Sequence, residues 1–139
     1  MNLNYGPEYK NFKKEVISFC KKWEGVHFVD EAKSPLTPIT KVGGKKITRT
    51  KWQSILIREG YFARSIPKKY GGYGGESDVI KNRIIASEFA NHGAPSPMGG
   101  QGIDMLVPTL LELGTEEQKK QYNEKTLLGE IIWCQGYSE

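Results

Sequence analysis

Apolar residues recur at helical spacing along most of this chain. Phe12, Val16, Phe19, Cys20 and Trp23 fall on one face of a helix that Gly6-Pro7 can open, because proline suits the first helical position, and that Gly25 stops. Trp52, Ile55 and Leu56 form a shorter stripe before Gly60, with Thr50 and Gln53 spaced as a capping box. Ile80, Ile84, Ile85 and Phe89 mark a third helix, capped by Ser77, running to about Asn91 and ended by His92-Gly93-Ala94-Pro95. A fourth covers about Gly102 to Leu113 despite Pro108, with Gly114 as its stop. Thr115 and Gln118 form a second capping box that opens a short helix through Tyr122, followed by a last helical turn near Thr126 to Leu128.

Two stretches break the pattern. From about Val26 to Thr48, Pro35, Pro38, Gly43 and Gly44 predict a loop. In "YFARSIPKKYGGYGGES", Pro67 and four glycines exclude regular structure, while Ile66 and the tyrosines can anchor the loop on a core. After Gly129 the period changes: Ile131 to Cys134 packs β-branched and aromatic residues together as the opening of a buried strand does, yet no upstream segment offers it a partner. The predicted fold class is all-α, a helical bundle of about five to six helices with a short C-terminal strand-like segment.

Composition narrows the classes. A length of 139 residues, 37% hydrophobic and 26% charged, suits a soluble domain with a modest core. No apolar run approaches the roughly 20 residues that span a bilayer, so no membrane association is expected. The start "MNLNYGPEYKNFKKE" has no apolar stretch of the secretory kind, which leaves a cytoplasmic location as the expectation. Cys20 and Cys134 have no CxxC spacing and indicate neither a disulfide framework nor a zinc site. The net charge of +4 comes with scattered lysine pairs and no recognition motif, so the lysines read as a solvated face and nucleic acid is not an expected partner.

Candidate chemistry is sparse. "GGYGGE" fails the G-x-G-x-x-G pattern because Ser77 stands where the third glycine belongs, and "VGGKK" lacks the Ser/Thr and the upstream glycine of a phosphate loop. Both read as turns. His27 and His92 lie far apart, each beside a helix end where it can cap a carbonyl, so no metal is expected. Cys134 reads as buried and inert, having no basic neighbour to lower its pKa. Glu116, Glu117 and Glu130 fall at helix starts or loops, where the helix dipole accounts for acids, and no catalytic acid or base can be singled out.

The segments "GYFARSIPKKYGGYGG", "ASEFANHGAPSP", "LVPTLLELGTEEQKKQY" and "LLGEIIWCQGYSE", in this order, closely resemble the N-terminal helical domain of the acyl-CoA dehydrogenases. The resemblance divides the chain into that domain at 1–130 and the start of the family's middle β-domain at 131–139, which would explain a strand without a partner. It implies a parent protein that oxidises an acyl-CoA thioester with FAD in fatty acid or lipid metabolism, working as a homo- or hetero-oligomer with acyl-CoA as substrate and electron-transfer flavoprotein as electron acceptor. The family's catalytic base belongs to a C-terminal domain, so the chain itself is expected to lack a catalytic residue and to be inactive alone.

Carried over by position, Gln135, Tyr137 and Ser138 correspond to the stretch beside the flavin, Ser138 matching a hydroxyl that contacts it. Alternatively they fray in solvent. Gln101, Gly102 and Met105 match the region approaching the acyl tail, with core filler as the alternative for Met105. A different functional class is also open: a stand-alone helical interaction module that docks on a partner subunit.

Overall fold

The computed structural model describes residues 6–29 and 46–136. Among them the chain forms five α-helices and one two-stranded parallel sheet, so the mostly helical architecture expected from the apolar periodicity is the one observed. The described residues divide into two compact units, one built from 6–29, 46–48 and 78–96, the other from 49–77 and 97–136.

In the first unit, α1 (Pro7–Lys22) packs against α3 (Val79–His92). Phe12, Val16, Phe19 and Cys20 are buried on α1, and Ile84, Ile85, Glu88 and Phe89 on α3. The Phe19 and Phe89 rings stack at 5.9 Å between centroids. Glu88 is the polar exception on this apolar face. Its carboxylate meets Lys13 Nζ at 3.7 Å and His92 Nε2 at 3.4 Å, and burying a carboxylate is tolerable only with such partners.

The cap of α3 is Asp78, one residue beyond the expected Ser77. Its Oδ1 accepts from the backbone N–H groups of Ile80 (2.9 Å) and Lys81 (3.1 Å), and its Oδ2 accepts from the Tyr9 hydroxyl (3.2 Å). Those bonds, led by the Lys81 N–H, hold its carboxyl below the usual carboxylate range. A carboxylate can satisfy two helix N–H groups and a hydroxyl at once, which a serine cannot. Strands β1 (His27–Phe28) and β2 (Lys46–Ile47) pair in register His27 with Lys46 and Phe28 with Ile47, a short sheet inside the stretch expected to be loop.

The second unit holds α2 (Arg49–Glu59), α4 (Val107–Leu113) and α5 (Glu116–Leu127). Ile57, Val107 and Leu127 centre its core, with Phe62, Ala63, Ile66, Leu111 and Leu128 packed around them. The capping box at Thr115 and Gln118 is present: Gln118 N–H donates to Thr115 Oγ1 at 3.2 Å, and Thr115 N–H to Gln118 Oε1 at 3.0 Å. From that cap α5 runs unbroken to Leu127 rather than stopping at Tyr122, because no breaker intervenes and Asn123, Thr126 and Leu127 continue the buried face.

The other expected box is absent. Helix α2 begins at Arg49, which leaves Thr50 inside it, and the Gln53 side chain is committed elsewhere. Pro108 is accommodated by a π-turn over Gly102–Leu106, where Val107 N–H bonds the Gly102 carbonyl five residues back. A proline ring collides with the carbonyl four residues before it, and the wider turn removes that collision. The Thr109 hydroxyl then donates to the Met105 carbonyl at 2.7 Å.

The glycine-rich loop is a packed turn. A Cβ on Gly72 would stand 2.1 Å from the Ile66 carbonyl oxygen, so only glycine fits there. Tyr70, buried, donates its hydroxyl to Glu116 at 2.6 Å and keeps that carboxyl below the usual range. Beyond α5, the expected strand is not formed among the described residues. Ile131 and Trp133 are half-buried while Ile132 and Cys134 are exposed, an alternation that lays one face of the segment on the unit. Cys134 is therefore exposed and not buried as expected, since its neighbours' apolar character reflects the face they share with α5 and not a covered strand.

Candidate functional site

One recess in the second unit brings together two parts of the sequence that the resemblance singles out. Its first wall is the backbone from Met98 through Ile103, and its second is Ile131 to Trp133, with Thr126 and Gly129 between them. Gly129, at φ +76°, turns the chain out of α5, and the Glu130 and Ile131 N–H groups both return to the Lys125 carbonyl. The following residues are thereby laid back along the helix they have just left.

Trp133 is fixed from three sides. Its indole Nε1–H donates to Thr126 Oγ1 at 2.9 Å, and Thr126 in turn donates to the Tyr122 carbonyl at 2.6 Å. Its ring meets Tyr122 edge-on, with centroids 5.6 Å apart at 80°. Gly102 lies beneath it with no room for a side chain, as a Cβ there would stand 2.6 Å from Trp133 Cδ1 and 3.0 Å from Thr126 Cγ2. The first wall has its own local tie, with Gly100 N–H donating to Asp104 Oδ2 at 3.0 Å and Asp104 N–H to the Gly100 carbonyl at 2.8 Å.

Behind both walls stands Gln53, 1% exposed. Its Nε2 donates to the Leu127 carbonyl at 2.8 Å, and its Oε1 accepts from Met98 N–H at 2.8 Å. Only one orientation of the amide satisfies a carbonyl and an N–H together, so the geometry fixes which end is which.

Among the described residues the lining is uncharged, composed of glycine, aliphatic, Met, Thr, Gln and Trp residues. Such a surface can accept apolar atoms and offer a few backbone or amide hydrogen bonds, and it holds no group able to take a proton from carbon. The cavity volume is about 40 Å³. On the same measure a water needs about 10–15 Å³, so the recess takes a few waters or the end of a chain and is one wall of any larger site.

Of the residues expected at the substrate, Gln101 and Gly102 line the recess, while Met105 is 56% exposed on the π-turn and does not. Gln135 is exposed two residues beyond Trp133. Tyr137 and Ser138 lie outside the described residues. Trp133, Thr126 and Gln53 were not named as site residues from the sequence, where Gln53 was read as half of a capping box with Thr50. The signal for Gln53 was its place between Trp52 and Ile55 on an apolar stripe, which a capping role does not explain. Among the described residues, no group of three or more His, Cys, Asp or Glu side chains could hold a metal, and no helix is long and apolar enough to cross a membrane.

The sequence model of the acyl-CoA dehydrogenase N-terminal domain matches residues 7–130. The chain belongs to that family. Acyl-CoA dehydrogenase IpdE1 of Mycolicibacterium smegmatis is 36% identical over 91 residues, which are 66% of this chain and 23% of that protein. Acyl-CoA dehydrogenase FadE26 of Mycobacterium tuberculosis is 27% identical over the whole chain and 33% of its own length. The crystal structure of the ChsE4-ChsE5 complex from Mycobacterium tuberculosis contains a chain that superposes with a TM-score of 0.60 at 26% identity, covering 100% of this chain and 32% of that one. This acyl-CoA dehydrogenase N-terminal domain thus spans about a quarter to a third of the length of these relatives.

Proposed function

We propose that the chain serves an FAD-dependent acyl-CoA dehydrogenase, an oxidoreductase of fatty acid metabolism, as the helical domain that walls one side of its acyl and flavin site, and that it is inactive alone. The observation that carries the reading is the recess. It joins Gln101 and Gly102 to the Ile131–Trp133 segment that leads directly into Gln135, over a family match covering residues 7–130. An uncharged wall of small and apolar residues suits a thioester's acyl chain, because it desolvates the chain without leaving a buried charge unpaired.

The described residues fit part of a flavin edge and no more. Gln135, exposed, carries an amide of the type that can both donate and accept, and the Trp133 indole N–H donates to Thr126. When bound, FAD would supply the acceptor for a hydride from the β-carbon. What these residues do is positional: Trp133 and Gly102 define the floor of the wall, and the glycines at 99 and 100 let backbone approach a ligand closely. The proton-abstracting base, the electron-transfer flavoprotein as acceptor and a cytoplasmic location belong to the same proposal for the parent protein.

The test is to incubate the purified chain with FAD, pass it through gel filtration and record the absorbance of the protein peak. A colourless peak with no acyl-CoA-dependent dye reduction is expected. Flavin that co-elutes would overturn the assignment of an inactive wall. A second reading, a module completed by a partner subunit, is favoured by the structural neighbour's origin in a two-protein complex and by Ile132, 80% exposed beside the recess. Co-expression with a candidate partner that yields a coloured complex from two colourless chains would select it.

A further inference from the structure

We propose that Gln53 is a positioning residue that sets the spacing between the two walls of the recess, a role that rests on the reading of the recess as an acyl-site wall. One wall hangs from Met98, whose N–H is held by Gln53 Oε1, and the other departs from the end of α5, whose Leu127 carbonyl is held by Gln53 Nε2, each bond 2.8 Å long. Leu127 is among the last residues of its helix, where carbonyls lack an intrahelical partner, and the Met98 N–H lies in a loop. Both groups are ones the backbone cannot satisfy by itself.

A single side chain of fixed length therefore ties the start of one wall to the start of the other. Gly129 reinforces the tie, since a Cβ there would stand 2.8 Å from Met98 Sδ, so the two walls are already at closest approach on that side. Trp133 cannot compensate for a lost clamp, because its N–H is spent on Thr126 within the second wall. Space filling alone would be served by Met or Leu at position 53. The bipolar amide is the feature that filling does not require.

Three variants of the 139-residue chain separate the two roles. Gln53→Met keeps the volume and loses both bonds. Its Met98 amide should exchange with solvent about tenfold faster relative to the α5 amides, the fold-change that corresponds to one lost hydrogen bond to a buried group. Gln53→Leu should behave alike. Gln53→Glu adds a chemical rescue: a protonated Glu can donate to the Leu127 carbonyl and accept from Met98 N–H, whereas the ionised form cannot donate. Burial raises the pKa of such a carboxyl, so protection of the Met98 amide and the wild-type NMR shift of the Trp133 indole N–H should return on acidification in Gln53→Glu and not in Gln53→Met.

Unchanged Met98 exchange in Gln53→Met, or loss only in step with α5, would overturn the proposal. So would pH-independent spectra of Gln53→Glu. These readouts need no cofactor. If a parent enzyme proved not to take acyl-CoA, the exchange result would still stand and only the purpose of the recess would fall.

Discussion

Replacing Gly102 by Ala should cost stability through one named collision, and the cost should vanish when the colliding group is removed. The new Cβ would stand 2.6 Å from Trp133 Cδ1 and 3.2 Å from Cγ, so the indole must move. Overpacking of this kind costs about 1–3 kcal/mol. The shift also breaks or bends the Trp133–Thr126 hydrogen bond of 2.9 Å, worth about 1 kcal/mol. Against both stands the entropy gained when alanine replaces glycine in a helical backbone, about 0.5–1 kcal/mol, available here because Gly102 is not at positive φ.

The net expectation is a loss of about 2 kcal/mol, or a melting midpoint lower by roughly 6–10 °C for a domain of this size. In a Trp133→Ala background only the Thr126 methyl remains near the new Cβ, at 3.0 Å, and Gly102→Ala should be neutral or slightly stabilising. Urea titrations of the four proteins, followed by far-ultraviolet circular dichroism so that the lost tryptophan does not affect the signal, give the coupling energy directly. Equal penalties in the two backgrounds would show that the indole does not sit on Gly102.

Two further outcomes test other parts of the fold. Asp78, held below the usual carboxylate range by the Lys81 N–H and its other hydrogen bonds, contributes stability that is present above the unfolded-state pKa near 3.9 and lost as pH falls through its lower folded value. Asp78→Asn should therefore flatten the acid limb of the stability curve below about pH 4, and an unaltered limb would remove Asp78 as the cap. Asn123 and Leu127 occupy successive turns of α5 at 0% and 1% exposure, but neither side-chain amide atom of Asn123 has a partner among the described residues. Leu127→Ala should cost about 2–5 kcal/mol, whereas Asn123→Ala should cost under about 1 because removing an unpaired buried amide offsets the lost packing. Equal losses in denaturant titrations would mean that the amide is paired.

The pattern of apolar spacing gave the helices themselves, because a face of Phe12, Val16, Phe19 and Cys20, or of Ile84, Ile85 and Phe89, can be buried in only one secondary structure. Local chemistry was less decisive, and the two T-x-x-Q motifs show why. Thr115 and Gln118 flank two glutamates on an exposed helix start, where nothing competes for the Gln side chain, and the capping box forms. Thr50 and Gln53 carry the same letters, but Gln53 lies on the buried face with Trp52, Ile55 and Leu56, so its amide is drawn to backbone groups 45 and 74 residues away.

The recess was legible only in part for a related reason. Gln101 and Gly102 could be placed by motif, yet the residues that hold them, Trp133 through Thr126 and Gln53 through Met98, are joined by contacts that no spacing in the sequence encodes. Motif likeness identifies where a ligand would pass. The supporting contacts decide how wide the passage is, and they are set by distant buried groups that each have one polar obligation left to meet. Among relatives that share the motif, a change in the recess is therefore to be sought first at positions equivalent to Gln53 and Trp133, behind the lining rather than on it.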